Sequence, residues 1–152
     1  MGTAHEQGMA QDMAVVRRIV EAIWNRGELA VADTLFAPGY VNHGGLIPNL
    51  VQGPEAIKVA VALYRAAFPT FHVTVEELRA DGSTVLLRWV AHDDIARAPA
   101  DDTEVDDRSS LSGTTSGRFV DGQVAESWTS WGAARAVRRW GLVPSSEPGA
   151  PV

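Results

Sequence analysis

The chain has 152 residues, 45% of them hydrophobic and 21% charged, with a formal net charge of −6. That is the size of one domain with a real core, hiding about 68–70% of its unfolded surface, and the ordinary composition excludes disordered, collagen-like and coiled-coil classes. There is no cysteine, which excludes disulfides, thiolate nucleophiles and cysteine-ligated zinc or iron–sulfur sites.

No apolar run reaches the roughly 18 residues of a membrane span. The start (Met1-Gly2-Thr3-Ala4-His5-Glu6) lacks the basic-then-apolar pattern of a secretory signal, so a cytoplasmic protein without a membrane partner is expected. The thirteen basic residues form no stripe, so no nucleic-acid partner is expected.

From Met13 the apolar residues recur at helical spacing (Val16, Ile19, Val20, Ile23, Trp24), with Arg17, Arg18 and Glu21 opposite. This predicts an amphipathic helix, stopped by Gly27. Residues 1–12 carry no such stripe and are expected to be a disordered arm. A short second helix is predicted over 28–36, broken by Pro38-Gly39. Tyr40-Val41-Asn42-His43 predicts a short strand, and Gly44-Gly45 opens a loop through Pro48. Gly53-Pro54-Glu55 starts a third helix, because proline is pre-set for the first helical position and glutamate suits the positive end of the dipole. Ile57, Ala60, Val61, Tyr64 and Phe68 form its apolar face, and Pro69 ends it.

The period then changes to two. Phe71, Val73 and Val75 alternate with His72, Thr74 and Glu76, and Asp81-Gly82 signals a hairpin. The next strand, Thr84 to His92, carries Val85, Leu87, Trp89 and Ala91 on one face and Leu86, Arg88, Val90 and His92 on the other. Residues 96–107 read as an acidic loop, a solvated lid that lacks the glycine and ligand order of a calcium site. Strands over 109–119 and 124–131 flank a second hairpin at Asp121-Gly122. A helix over 133–140 and a flexible tail over 145–152 complete one domain, residues 13–144. Helices first and a meander of strands after them predict an α+β fold, with helices covering one face of a curved sheet and a concave apolar pocket between the layers.

Three stretches carry a resemblance. They are Gly53-Pro54-Glu55-Ala56-Ile57 with Ala66-Ala67-Phe68-Pro69, the run Arg118-Phe119-Val120-Asp121-Gly122-Gln123-Val124-Ala125-Glu126-Ser127-Trp128, and Trp140-Gly141-Leu142-Val143-Pro144. Together they resemble the SnoaL-like polyketide cyclases of the nuclear-transport-factor-2-like superfamily. The resemblance implies a cone-shaped α+β barrel, N-terminal helices on a strongly curved sheet, a homodimer, an apolar pocket, and neither metal nor cofactor. It also implies an acidic residue one place after the final-strand tryptophan, but Trp128 is followed by Thr129. A second family aspartate falls on Gly132, and the family's Gly-Thr-His on Asp93-Asp94-Ile95. The related limonene epoxide hydrolases use a Tyr-x-Asn pair, matched by Tyr40 and Asn42. Their Arg-x-Asp pair falls on His92 and Asp94, with histidine in place of arginine.

The candidate catalytic residues are therefore His92, Asp94, Tyr40 and Asn42. His92 and Asp94 share one side of a strand, where a carboxylate can hold an imidazole in one tautomer for proton transfer near neutral pH. A solvated strand end leading into the acidic loop explains the same pair. Tyr40 and Asn42 share a strand face and suit an oxyanion; a rim tyrosine and a turn-capping asparagine fit equally. The candidate substrate-binding residues are Arg88, Ser127, Thr129, His43, Trp24, Tyr64, Phe68 and Trp131. Arg88 suits an ion pair with Glu126 or Asp94 inside the cone, or an anion site. The four aromatics suit a cavity wall or plain core. The expected function is cofactor-free cyclisation or isomerisation of a hydrophobic polyketide-type intermediate. Epoxide opening and non-catalytic ligand binding are the alternatives.

Overall fold

The structure, a computed structural model, describes residues 4–43, 51–93 and 110–131. The first helix, α1, spans Ala4–Arg18 and continues as a π-helical segment over Ile19–Asn25. It begins at Ala4, within the stretch expected to be a disordered arm. Residues 4–12 lack an apolar stripe yet contain good helix formers, with Glu6 at the positive end of the dipole and Arg17 and Arg18 at the negative end.

A short 3₁₀ turn over Leu29–Val31 leads into α2, Ala32–Leu35. Strand β1 then runs over Phe36–His43, four residues earlier at its start than the predicted strand. The edge position tolerates Pro38, and the pairing with β5 shifts between Phe36 and Val41. Helix α3 spans Pro54–Ala67, with Gly53 before it at φ 79°. A side chain at Gly53 would strike the Pro38 carbonyl oxygen, and the Gly53 N–H donates to the Tyr40 carbonyl at 2.8 Å. This close approach fixes the start of α3 against β1.

The remaining strands are β2 His72–Asp81, β3 Thr84–His92, β4 Ser110–Val120 and β5 Gln123–Trp131. The β2–β3 turn places Gly82 first at φ 64°, and the β4–β5 turn puts Asp121 and Gly122 both at positive φ, as two-residue hairpins of right-handed twist require. The predicted acidic loop over 96–107, helix over 133–140 and tail over 145–152 lie outside the described residues. Among the described residues no helix is long and apolar enough to cross a membrane.

The sheet has the order β1-β5-β4-β3-β2, with β1 and β5 parallel and the other pairs antiparallel. The α+β class is as expected, with three helices on one face of a five-stranded mixed sheet. The cone-shaped barrel is not: the sheet neither closes nor curls strongly. Closure needs β1 to meet β2, and backbone groups on both edges are engaged otherwise. Asn25 takes both polar groups of Val73 on β2, accepting from its N–H at 2.7 Å and donating to its carbonyl at 2.9 Å. Gly53 occupies the Tyr40 carbonyl on β1.

Two apolar clusters tie the layers together. One joins Val16, Ile19 and Ile23 to Phe36, Tyr40, Ile57 and Val85. The other joins Val20 to Phe68, Phe71, Val73, Ala91 and Leu111. Arg65 on α3 donates to the Trp24 and Asn25 carbonyls at 2.8 and 2.9 Å, capping the end of the first helix.

Candidate active site

Between the helices and the sheet lies a cavity of about 430 Å³. That is within the ~300–1,000 Å³ of small-molecule sites. Val16, Val20 and Trp24 wall it from the first helix and Ile57, Tyr64 and Phe68 from α3 and the residue after it. Strand β3 contributes Val85, Leu87, Trp89 and Ala91. Trp24 and Tyr64 meet with ring centroids 5.5 Å apart, and each lies 5.8 Å from Phe71. These tilted ring contacts hold one end of the cavity together.

The polar groups sit on β1, β4 and β5. Tyr40 is 2% exposed, and its hydroxyl lies 2.6 Å from Ser127 Oγ. Ser127 Oγ–H donates to Asn42 Oδ1 at 3.3 Å. The parallel pairing sets Asn42 directly beside Ser127, and strand alternation brings Tyr40 to the same face. Burial pushes the Tyr40 phenol up to about 12, partly offset by its bond to Ser127, so it is a neutral group at pH 7. Burial pushes the Tyr64 phenol up as well.

A second polar chain crosses the sheet. Trp89 Nε1–H donates to Thr115 Oγ1 at 3.0 Å, and Thr115 Oγ1 lies 3.0 Å from Thr129 Oγ1. Trp89 and Thr115 were not among the candidates from sequence. The alternation of Trp89 with Val85, Leu87 and Ala91 was their only signal.

The structure brings together Tyr40, Asn42, Ser127, Thr129, Trp24, Tyr64 and Phe68 around one cavity. It separates three others. Arg88 does not project inward: it is exposed on the opposite face of β3 and pairs with Glu77 at 3.3 Å, while Glu126 pairs with Arg118 and His43. His92 shares that parity and does not line the cavity. The physical reason is that the Val85, Leu87, Trp89, Ala91 face buries more apolar surface against the helices, which turns the charged face outward. His43 also faces away, stacked on Trp128 at 5.2 Å and bonded through Nε2 to Glu126 Oε2 at 3.1 Å. Arg118 Nε–H donates to Glu126 Oε1 at 2.8 Å. These bonds, Arg118 first and His43 second, hold the Glu126 carboxyl below its usual range. Asp94 and the side chain of Trp131 lie outside the described residues.

Sequence reading also missed Asp93. It is 2% exposed, and its Oδ2 accepts from the Thr70 N–H and the Thr70 hydroxyl, each at 2.9 Å. It anchors the α3–β2 turn to the end of β3. Among the described residues no three His, Cys, Asp or Glu side chains converge as metal ligands would.

Helices on one face of a mixed sheet, enclosing an apolar cavity, define the nuclear-transport-factor-2-like fold. Within that fold the chain belongs to the SnoaL-like polyketide cyclase family, whose model matches residues 14–138. Among solved structures it is similar to AclR, a candidate hydroxylase from Streptomyces galilaeus, at 26% identity over 90% of this chain and 99% of that one, with a TM-score of 0.66. It is also similar to candidate polyketide cyclases from Acidithiobacillus ferrooxidans (19% identity, 91% and 96% covered, TM-score 0.69) and Jannaschia sp. CCS1 (19%, 94% and 100%, TM-score 0.69). At 19% identity these likenesses speak for the fold alone. No curated protein matches the chain in sequence.

Proposed function

We propose that this chain is a cofactor-free enzyme that closes a ring in a hydrophobic polyketide-type intermediate. The observation that carries this reading is the apolar cavity with neutral hydrogen-bonding groups gathered on one wall, Tyr40, Ser127 and Asn42. In such a space a flexible chain folds so that its reacting ends meet, and orientation alone can supply about 7–11 kcal/mol of the barrier. In the ring closure a C–H bond between two carbonyls breaks. The enolate carbon then bonds a distant ketone carbon, the ketone oxygen takes up the proton, and loss of the resulting hydroxyl as water with enolisation of the remaining ketones gives the aromatic ring. The polar wall stabilises the oxyanion on either side of that step. Because His92 lies away from the cavity, catalysis here leans on folding and on neutral donors more than on the expected His92–Asp94 dyad.

The test is the cyclisation of methyl 3,5,7-trioxooctanoate, a neutral linear ester, followed by the absorbance of its aromatic product. The wild type should accelerate it, and Asn42→Ala should lose more rate than His92→Ala. A wild-type rate equal to that of buffer would remove the proposal.

One observation favours a second reading, a non-catalytic binder of hydrophobic small molecules. Among the described residues that line the cavity there is no Asp, Glu, His, Lys or Arg. A ligand that raises the melting temperature without giving product would establish it. Epoxide hydrolysis needs a carboxylate to activate water, and oxygen-18 incorporation from water separates it from ring closure. We further propose a homodimer through the outer sheet face, where Trp128 is 42% exposed. Sedimentation should then give twice the 16.3 kDa chain mass, falling to that mass in Trp128→Glu.

A further inference from the structure

We infer that the cavity recognises its ligand through a carbonyl-type acceptor oxygen received by the Asn42 amide N–H, and that Ser127 is the positioning residue that aims this amide. The inference rests on the reading that the cavity holds the substrate, and it follows from proton counting. Asn42 Oδ1 is only an acceptor, so the one hydroxyl proton of Ser127 is spent on it. With that proton committed, Ser127 Oγ can only accept from Tyr40, so the Tyr40 hydroxyl is the donor across the 2.6 Å bond. The relay therefore runs in one direction, Tyr40 to Ser127 to Asn42.

The two hydroxyl protons on this side of the wall, those of Tyr40 and Ser127, both point along the relay. Where β1 meets β5, apart from the Thr115 and Thr129 hydroxyls farther along the wall, what remains is the Asn42 Nδ2 group, which has two N–H donors and no acceptor. A hydrogen bond accepted at Oδ1 also polarises the amide and strengthens its N–H as a donor. This corner of the wall is thus matched to a ketone, ester or enolate oxygen and mismatched to a hydroxyl that must donate. Tyr40, buried and neutral, acts through Ser127 and holds the relay in register.

The experiment uses the full chain and three dyes of one shape. The acyl dye is 6-propionyl-2-(dimethylamino)naphthalene, whose emission moves to the red when its carbonyl accepts a hydrogen bond. The parent is 2-(dimethylamino)naphthalene, and the hydroxyl analogue is 6-(dimethylamino)-2-naphthol. The wild type should bind the acyl dye most tightly, with red-shifted emission. Ser127→Ala should weaken the acyl dye by ~2–10-fold, the range of one neutral hydrogen bond, and shift its emission to the blue. The parent dye should be unaffected, and Ser127→Thr, which keeps the hydroxyl, should behave as wild type.

Unchanged affinity and emission of the acyl dye in Ser127→Ala would overturn the inference. So would preference of the wild type for the hydroxyl analogue, which would mean that the Asn42 oxygen or the Thr115 and Thr129 hydroxyls receive the ligand. Failure of all three dyes to bind would overturn both this inference and the reading of the cavity as a substrate site. Intact dye results with no ring closure would sink the enzyme reading alone and leave the recognition standing.

Discussion

The Trp89 indole occupies the space that a side chain on Gly113, its partner on β4, would need. A Cβ on Gly113 would fall 2.9 Å from ring atoms of Trp89, closer than real side chains approach. Glycine at this position therefore lets the indole reach over to Thr115 and form the cavity wall.

Gly113→Ala should displace the indole, break its bond to Thr115 and cost about 1–3 kcal/mol as an overpacked core does. Thermal unfolding measures the loss. Trp89→Phe in the same chain removes the clash and should recover part of it.

Tyr40 gives the fold an alkaline sensitivity. Its proton is held to about 12 in the folded chain, against an ordinary value of 10.0. Between these values the native state binds the proton and the unfolded chain does not, so stability falls as pH rises through this window. Tyr40→Phe should flatten the fall, and Tyr40→Phe with Tyr64→Phe should flatten it further. Denaturant melts from pH 8 to pH 12 would show a slope as steep as wild type if burial of these phenols were irrelevant.

Glu126 has the opposite sign. Its carboxyl is held low by Arg118 and then by His43, so its contribution is present above the ordinary carboxylate value and lost as pH falls through the lowered one. Glu126→Gln should lower the melting temperature slightly at pH 7 and not at all at strongly acid pH. The difference should shrink with added salt, because the pair lies at the surface.

Asp93→Ala should lower stability by about 1–3 kcal/mol, because it strips two hydrogen bonds from Thr70 beside a buried position. Asp93→Asn, which keeps one acceptor oxygen, should lose less. Urea midpoints of the two variants make the comparison.

Much of this was legible in the sequence because it is local. The limits of β3, the start of α3 and both hairpins follow from alternation, Pro54 and the Asp-Gly pairs. The π-helical turn over Ile19–Asn25 was not legible, since its apolar spacing fits an ordinary helix. Nor was the inward face of β3: Leu86 and Val90 are as apolar as Val85 and Leu87, so alternation did not decide the side, and the sequence places Arg88 and His92 in the site whereas the structure turns them away from the cavity. Tyr40 and Asn42 could be paired from their spacing. Their bonds to Ser127 could not, because β1 meets β5 by a parallel pairing across 85 positions. Trp89 with Thr115 and Thr129 was hidden in the same way, by contacts that cross three strands.

The most direct test is the rate of ring closure in Gly117→Leu against wild type. Gly117 lines the cavity as the cross-strand neighbour of Ser127, and an added Cβ there meets only ordinary contacts at 3.8 and 3.9 Å, so a larger side chain starts without strain and takes up room in the hollow beside the polar wall. The variant should keep its fold by circular dichroism and turn over methyl 3,5,7-trioxooctanoate no faster than buffer, while the wild type is clearly faster. A folded Gly117→Leu chain that cyclised the ester at the wild-type rate would contradict that prediction.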